Sequence, residues 1–104
     1  MIDARNRELH QIIADKIRHH PGLIVRVKEI LERWLRAMHE SERGYDSLRE
    51  WKNRLENHSL DPVLDFMASE EEEACRLRQS SPFVGLLSDE ERMAVFRKYE
   101  AFQS

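Results

Sequence analysis

The sequence predicts an all-α fold, a small single-domain bundle of four to six helices. Three observations predict it. Apolar residues recur at i, i+3, i+4 and i+7 over most of the chain. Helix-opening signatures repeat along it: Ser47 with Glu50, Asp61-Pro62, Ser69 with Glu72, and Ser88 with Glu91. Only 3 glycines and 3 prolines occur in 104 residues, too few for the tight turns of a β-sandwich or barrel.

A first helix is expected from Asp3, as its cap, to His19, with Leu9, Ile12, Ile13 and Ile17 on one stripe. Pro21 and Gly22 end it, leaving His19-His20 beside the negative end of the helix dipole. The second helix, Pro21 to Ser41, carries the longest stripe: Leu23, Ile24, Val27, Ile30, Leu31, Trp34, Leu35 and Met38. Its polar face offers Glu29–Arg33 and Glu32–Arg36 as i,i+4 pairs, and Gly44 supplies the stop.

Ser47 opens a third helix that ends near Asn57-His58-Ser59, with Leu48, Trp51 and Leu55 inward. Asp61-Pro62 opens a short fourth, holding Val63, Leu64, Phe66 and Met67. A fifth runs from Glu70 to about Gln79, with four glutamates in its first turn and Arg76 and Arg78 toward its C-terminus, both favoured by the dipole. Residues 80–87 hold Pro82 and Gly85 and are the least regular stretch, yet they contain four large apolar side chains. The last helix, from Ser88 to about Phe102, presents Met93, Val95, Phe96, Tyr99 and Phe102.

Charged residues make up 36% of the chain and mean hydropathy is −0.71. Residues 1–58 hold 12 Lys+Arg against 10 Asp+Glu, a net of +2; residues 59–104 hold 5 against 10, a net of −5. Neither part has the basic excess of a module that neutralises phosphates, while the acidic part suits a basic partner surface. Leu23-Ile24-Val25 and the other apolar runs are all far too short to span a bilayer, and no secretory leader is evident at Met1-Ile2-Asp3-Ala4-Arg5. One cysteine, Cys75, leaves no internal disulfide. A cytoplasmic protein is expected, organised as one domain over 1–104. Residues 1–58 form its helical hairpin and third helix, and 59–104 an acidic part.

No chemistry-bearing motif stands out. No two of the five histidines are four apart; His39 and Glu42, three apart, are the nearest approach to a helical metal pair. Cys75 follows glutamates, which disfavour its thiolate, and reads as structural. Neither metal nor cofactor is expected, nor is catalysis. Arg49, Lys52, Asn53 and Arg54 give the third helix some character of a DNA-reading helix, but acidic segments follow it. Trp34 and Trp51 lie on apolar stripes and are expected in the core. Arg76-Leu77-Arg78-Gln79-Ser80-Ser81-Pro82-Phe83 combines arginines, hydroxyls and an aromatic anchor, as an inserted recognition segment does. The alternative is a connector whose Phe83 and Leu86 plug the domain's own core.

His10 with Ile13-Ala14, Pro21-Gly22-Leu23-Ile24, Leu31-Glu32-Arg33-Trp34 and Glu50-Trp51 mark the first part of a further pattern. The segment from Arg76 through Leu87, followed by Glu91-Arg92, completes it. In this pattern the chain resembles small helical bacterial antitoxins encoded beside a toxin gene. The resemblance implies a non-catalytic protein that neutralises a nucleotidyltransferase-like or RNA-cleaving toxin by covering its active site. Residues 70–87 would lie across the cleft. The acidic turn Glu70–Glu73, with Glu72 and Glu73 as its site residues, would face basic residues, Arg76 and Arg78 would pair with catalytic carboxylates, and Phe83 would fill a pocket, flanked by Gln79, Ser80, Ser81 and Pro82. The alternatives are a DNA-binding transcriptional regulator and a homo-oligomeric scaffold joined through the second helix.

Overall fold

The computed structural model describes residues 2–103, with side chains over 4–100. Its order is α1 (Ile2–His19), α2 (Leu23–Ala37), α3 (Tyr45–Asn57), α4 (Leu60–Met67), α5 (Glu72–Arg78), a 3-10 turn at Pro82–Leu86, and α6 (Asp89–Gln103). No strand occurs among the described residues. The Asp3 cap and the side chain of Phe102 lie outside the described side chains.

α1 is the central element. It packs against α4, α5, α6 and the 3-10 turn, while α2 packs against α3 and the turn. The two parts of opposite net charge therefore interleave around one core. Leu9, Ile13, Ile17, Val27, Leu31, Leu48, Trp51, Leu64, Met67, Leu77 and Phe83 are buried in that core. Trp51 is its largest side chain; Phe66 and Phe83 meet it edge-on at 6.0 and 5.1 Å between ring centroids. The indole N–H donates to the Leu77 carbonyl at 2.9 Å, tying α3 to α5.

Several helix ends differ from expectation, each for a local reason. α2 stops at Ala37 rather than Ser41. The Glu42 carboxylate takes the His39 N–H, and the Ser41 N–H donates to the His39 ring, so these side chains compete with the helix for its backbone. Those bonds also place His39 and Glu42 in a turn, not on one helical face. α3 begins at Tyr45, because Gly44 takes φ 91°, a left-handed conformation that only glycine adopts at low cost, and Leu48 N–H bonds its carbonyl. Ser47 is thus inside the helix, not its cap. α5 begins at Glu72, so only Glu72 and Glu73 occupy its first turn. Ser69 instead donates to the Phe66 carbonyl and accepts from Glu71 N–H.

The Ser88 signature is realised in full. Glu91 N–H donates to Ser88 Oγ at 3.1 Å, and Ser88 N–H to Glu91 Oε1 at 2.9 Å. Lys16 Nζ also reaches that carboxylate at 2.6 Å. Hydrogen bonding from Lys16 first, then from the Ser88 N–H, holds the Glu91 carboxyl below its ordinary value of 4.5. A lowered folded pKa adds stability above pH 4.5 that disappears as pH falls through the folded value. Glu91→Gln should therefore flatten the loss of stability between neutral and acid pH. Urea midpoints at the two pH values check this, and an unchanged pH slope would count against it.

Trp34 departs from its expected place in the core. It is 37% exposed, although it continues the stripe of the buried Val27 and Leu31. The 3-10 turn covers α2 at Ile30, where Gly85 approaches so closely that a Cβ would lie 3.1 Å from Ile30 Cδ1. Trp34 is one turn beyond that cover.

Candidate functional site

The segment nominated from sequence, 70–87, divides into an inner and an outer set. The inner set is fixed by helix packing. α5 turns Leu77 and Arg78 inward, and Arg78 is 2% exposed. Its guanidinium donates to the carbonyls of Met67 at 2.9 Å and Ser69 at 2.7 Å, the open C-terminal end of α4. Positive charge is favoured there by the helix dipole. Its Nη2 also lies 3.3 Å from the half-buried Cys75 Sγ.

Ser81 accepts the Phe83 N–H at 3.1 Å and so starts the 3-10 turn. The Ser81 Oγ is 2.8 Å from His10 Nε2, and His10 Nδ1 is 2.8 Å from the Asn6 carbonyl. A carbonyl only accepts, so Nδ1 donates to it. In the neutral imidazole, Nε2 then accepts from the serine hydroxyl. Lys16 Nζ donates to the Leu86 carbonyl at 3.0 Å and pins the other end of the turn. Phe83 and Pro82 are buried beside Trp51 and α2.

This arrangement places part of the nominated segment inside the fold. Arg78, Ser81, Pro82 and Phe83 are committed to the protein's own interior. In the folded chain they offer neither a cation nor an aromatic ring to a partner. Phe83 and Leu86 plug the domain's own core, the alternative weighed for this stretch.

The outer set is Glu72, Glu73, Arg76 and Gln79, all exposed, with Ser80 half-buried beside Gly44. Arg76 Nη1 pairs with Glu50 of α3 at 2.9 Å, and Nη2 with Glu73 at 2.6 Å. Those two carboxylates, Glu50 first, raise the arginine's pKa further. Glu70 is held by Arg7 of α1 at 3.0 Å. The result is an acidic surface in which three carboxylates, Glu50, Glu70 and Glu73, are held by arginines.

Compared with family profiles, with curated proteins and with solved structures, the chain matches none.

The DNA-reading character of the third helix is only partly available. Lys52 is engaged by Glu32 of α2 at 2.8 Å, and the Arg54 guanidinium stacks on the Phe66 ring at 3.6 Å. Among the described residues, no group of three or more His, Cys, Asp or Glu is placed to hold a metal ion. No helix there is long and apolar enough to cross a membrane.

Sequence reasoning missed a cleft of about 370 Å³ between α2 and α3, with Arg36, Tyr45, Arg49, Lys52 and Asn53 among its lining. Arg36 and Glu32 were expected to pair with each other. Glu32 turns to Lys52 instead, and the hydrogen bond from Lys52 lowers its pKa. The signal was present in the connection 38–44, which is short enough to force the two helices side by side and antiparallel.

Proposed function

We propose that the chain is a non-catalytic protein-binding module, an antitoxin-type protein that neutralises a cognate toxin by covering its active site. One observation supports this best: α5 is anchored through Arg78, Leu77 and the Trp51 indole, while its outer face presents Glu72, Glu73, Arg76 and Gln79. A charged face on an anchored helix loses little conformational freedom on binding. Its acidic character complements the basic groove with which a toxin acting on nucleic acid or nucleotides holds phosphate.

Arg76 is a positioning residue in this reading. Its two ion pairs aim Glu50 and Glu73 outward rather than offering an arginine to the toxin. Docking therefore uses the outer face of α5, with no insertion of Phe83.

Co-expression with the product of the adjacent reading frame tests the proposal. The neighbour should arrest growth alone, and this chain should restore growth and co-elute with it. Replacing Glu72→Lys together with Glu73→Lys should abolish rescue while leaving helicity unchanged. Rescue undiminished by that reversal would remove α5 as the docking face, and a harmless, non-binding neighbour would remove the antitoxin reading.

A further inference from the structure

The α2–α3 cleft lies away from α5 and has no part in the function proposed above. Its chemistry is uneven along its length. Near the 38–44 connection it is cationic: Arg36 comes from the last turn of α2 and Arg49 from the second turn of α3. Among the described residues neither forms an ion pair within 4.0 Å, whereas Lys52 is bound to Glu32 at 2.8 Å and lies 3.9 Å from Glu56, both glutamates belonging to the same lining. The Lys52–Glu32 pair joins the two helices across the cleft and neutralises itself. That leaves the two guanidiniums without a direct ion pair at this end, with Glu40 and Asp46 acting on Arg49 only at longer range. Tyr45 stands beside Arg49, and its phenol oxygen pushes the arginine's pKa up. Asn53, one turn further along α3, adds an amide that both donates and accepts.

From these features we infer that the cleft binds a phosphate group, clamped between Arg36 and Arg49. The number of acceptor oxygens favours phosphate over carboxylate. One bidentate guanidinium satisfies both oxygens of a carboxylate. A phosphate monoester carries three non-bridging oxygens and a charge of about −1.5 to −2 near neutral pH, enough for two guanidiniums from different helices. The cleft volume of about 370 Å³ exceeds what a bare phosphate fills and is at the small end of ligand pockets, which run from about 300 Å³. The Tyr45 ring and the Asn53 amide are placed to contact whatever the phosphate carries. The ligand is therefore free phosphate or, with the remaining volume used, a small organic phosphomonoester.

Amide chemical-shift titration of the full chain tests this, with inorganic phosphate in one arm and adenosine monophosphate in the other, both at constant ionic strength. Saturable shifts confined to residues around Arg36 and between Tyr45 and Asn53 are expected. Tighter binding of the nucleotide assigns the site to an organic monoester, and equal binding assigns it to free phosphate. Arg36→Ala and Arg49→Ala should each weaken binding about tenfold. Arg33→Ala, on the neighbouring exposed surface of α2, should leave it unchanged. All three side chains are exposed, so helicity and midpoint should match the parent chain. The inference is overturned if neither probe saturates, or if Arg33→Ala weakens binding as much as the other two.

Discussion

Trp51→Ala should be the most destabilising single change in the core, costing about 3–5 kcal/mol. The side chain is fully buried, and the cavity would open between Phe66 and Phe83, the two rings that pack edge-on against it. Three elements would lose a common neighbour, because Trp51 links α3 to α4, to α5 and to the 3-10 turn. Set against the roughly 5–15 kcal/mol that holds a typical domain together, such a loss leaves a substantially unfolded population. Trp51→Phe separates packing from hydrogen bonding. It keeps most of the ring contact and removes the bond to the Leu77 carbonyl, which retains the Ser80 N–H at 3.1 Å. Its cost should be much smaller, about 1 kcal/mol for the hydrogen bond plus the lost ring area. Urea unfolding followed by far-ultraviolet circular dichroism measures both. Equal midpoints for the alanine variant and the parent chain would mean that Trp51 does not hold the core.

The fold was legible because its information is local. Val27 and Leu31, Leu48 with Trp51 and Leu55, and the Ser88–Glu91 box each declare a helix within a few residues. The structure realises each of them. What escaped the sequence depends on distant partners. His10 and Ser81 are 71 residues apart, and nothing in either neighbourhood shows that they meet. Arg78 falls in the last turn of a short, charged helix, where an exposed cation is the usual outcome. Only the position of α4 turns it inward, to the carbonyls of Met67 and Ser69. Trp34 failed in the opposite direction: its stripe is continuous, but the side chain is 37% exposed, while Leu35 and Met38 beside it pack against the core. The candidate site suffered most, since a functional surface is what remains after such long-range commitments are made. A residue list drawn from 72–83 could not divide itself into Glu72, Glu73, Arg76 and Gln79 outside, and Arg78, Ser81, Pro82 and Phe83 inside.

Arg78→Ala is the second large effect, and it decides how the 72–83 segment works. The guanidinium donates two hydrogen bonds to backbone carbonyls at the end of α4, both from a charged donor and with the side chain buried. Hydrogen bonds to charged groups are worth about 1.5–3 kcal/mol each, so the alanine variant should lose about 3–6 kcal/mol. Arg78→Lys should recover only part of it, because Nη1 holds both carbonyls while Nη2 reaches Cys75 Sγ, and a single ammonium on a flexible stem does not reproduce that spread. Arg76→Ala makes the opposite comparison: its exposed ion pairs are solvent-screened, so its unfolding midpoint should barely move. In a toxin-neutralisation assay the two arginines should then fail differently. Arg76→Ala would weaken binding by a folded protein. Arg78→Ala would lose binding in step with its lost stability, and a stabilising osmolyte that restores the fold should restore neutralisation. If Arg78→Ala instead kept the parent midpoint and still failed to neutralise, the segment would have to leave the core to bind. Arg78 and Phe83 would then reach the toxin's cleft after all, at the cost of opening the contacts between Trp51, Phe83 and α2.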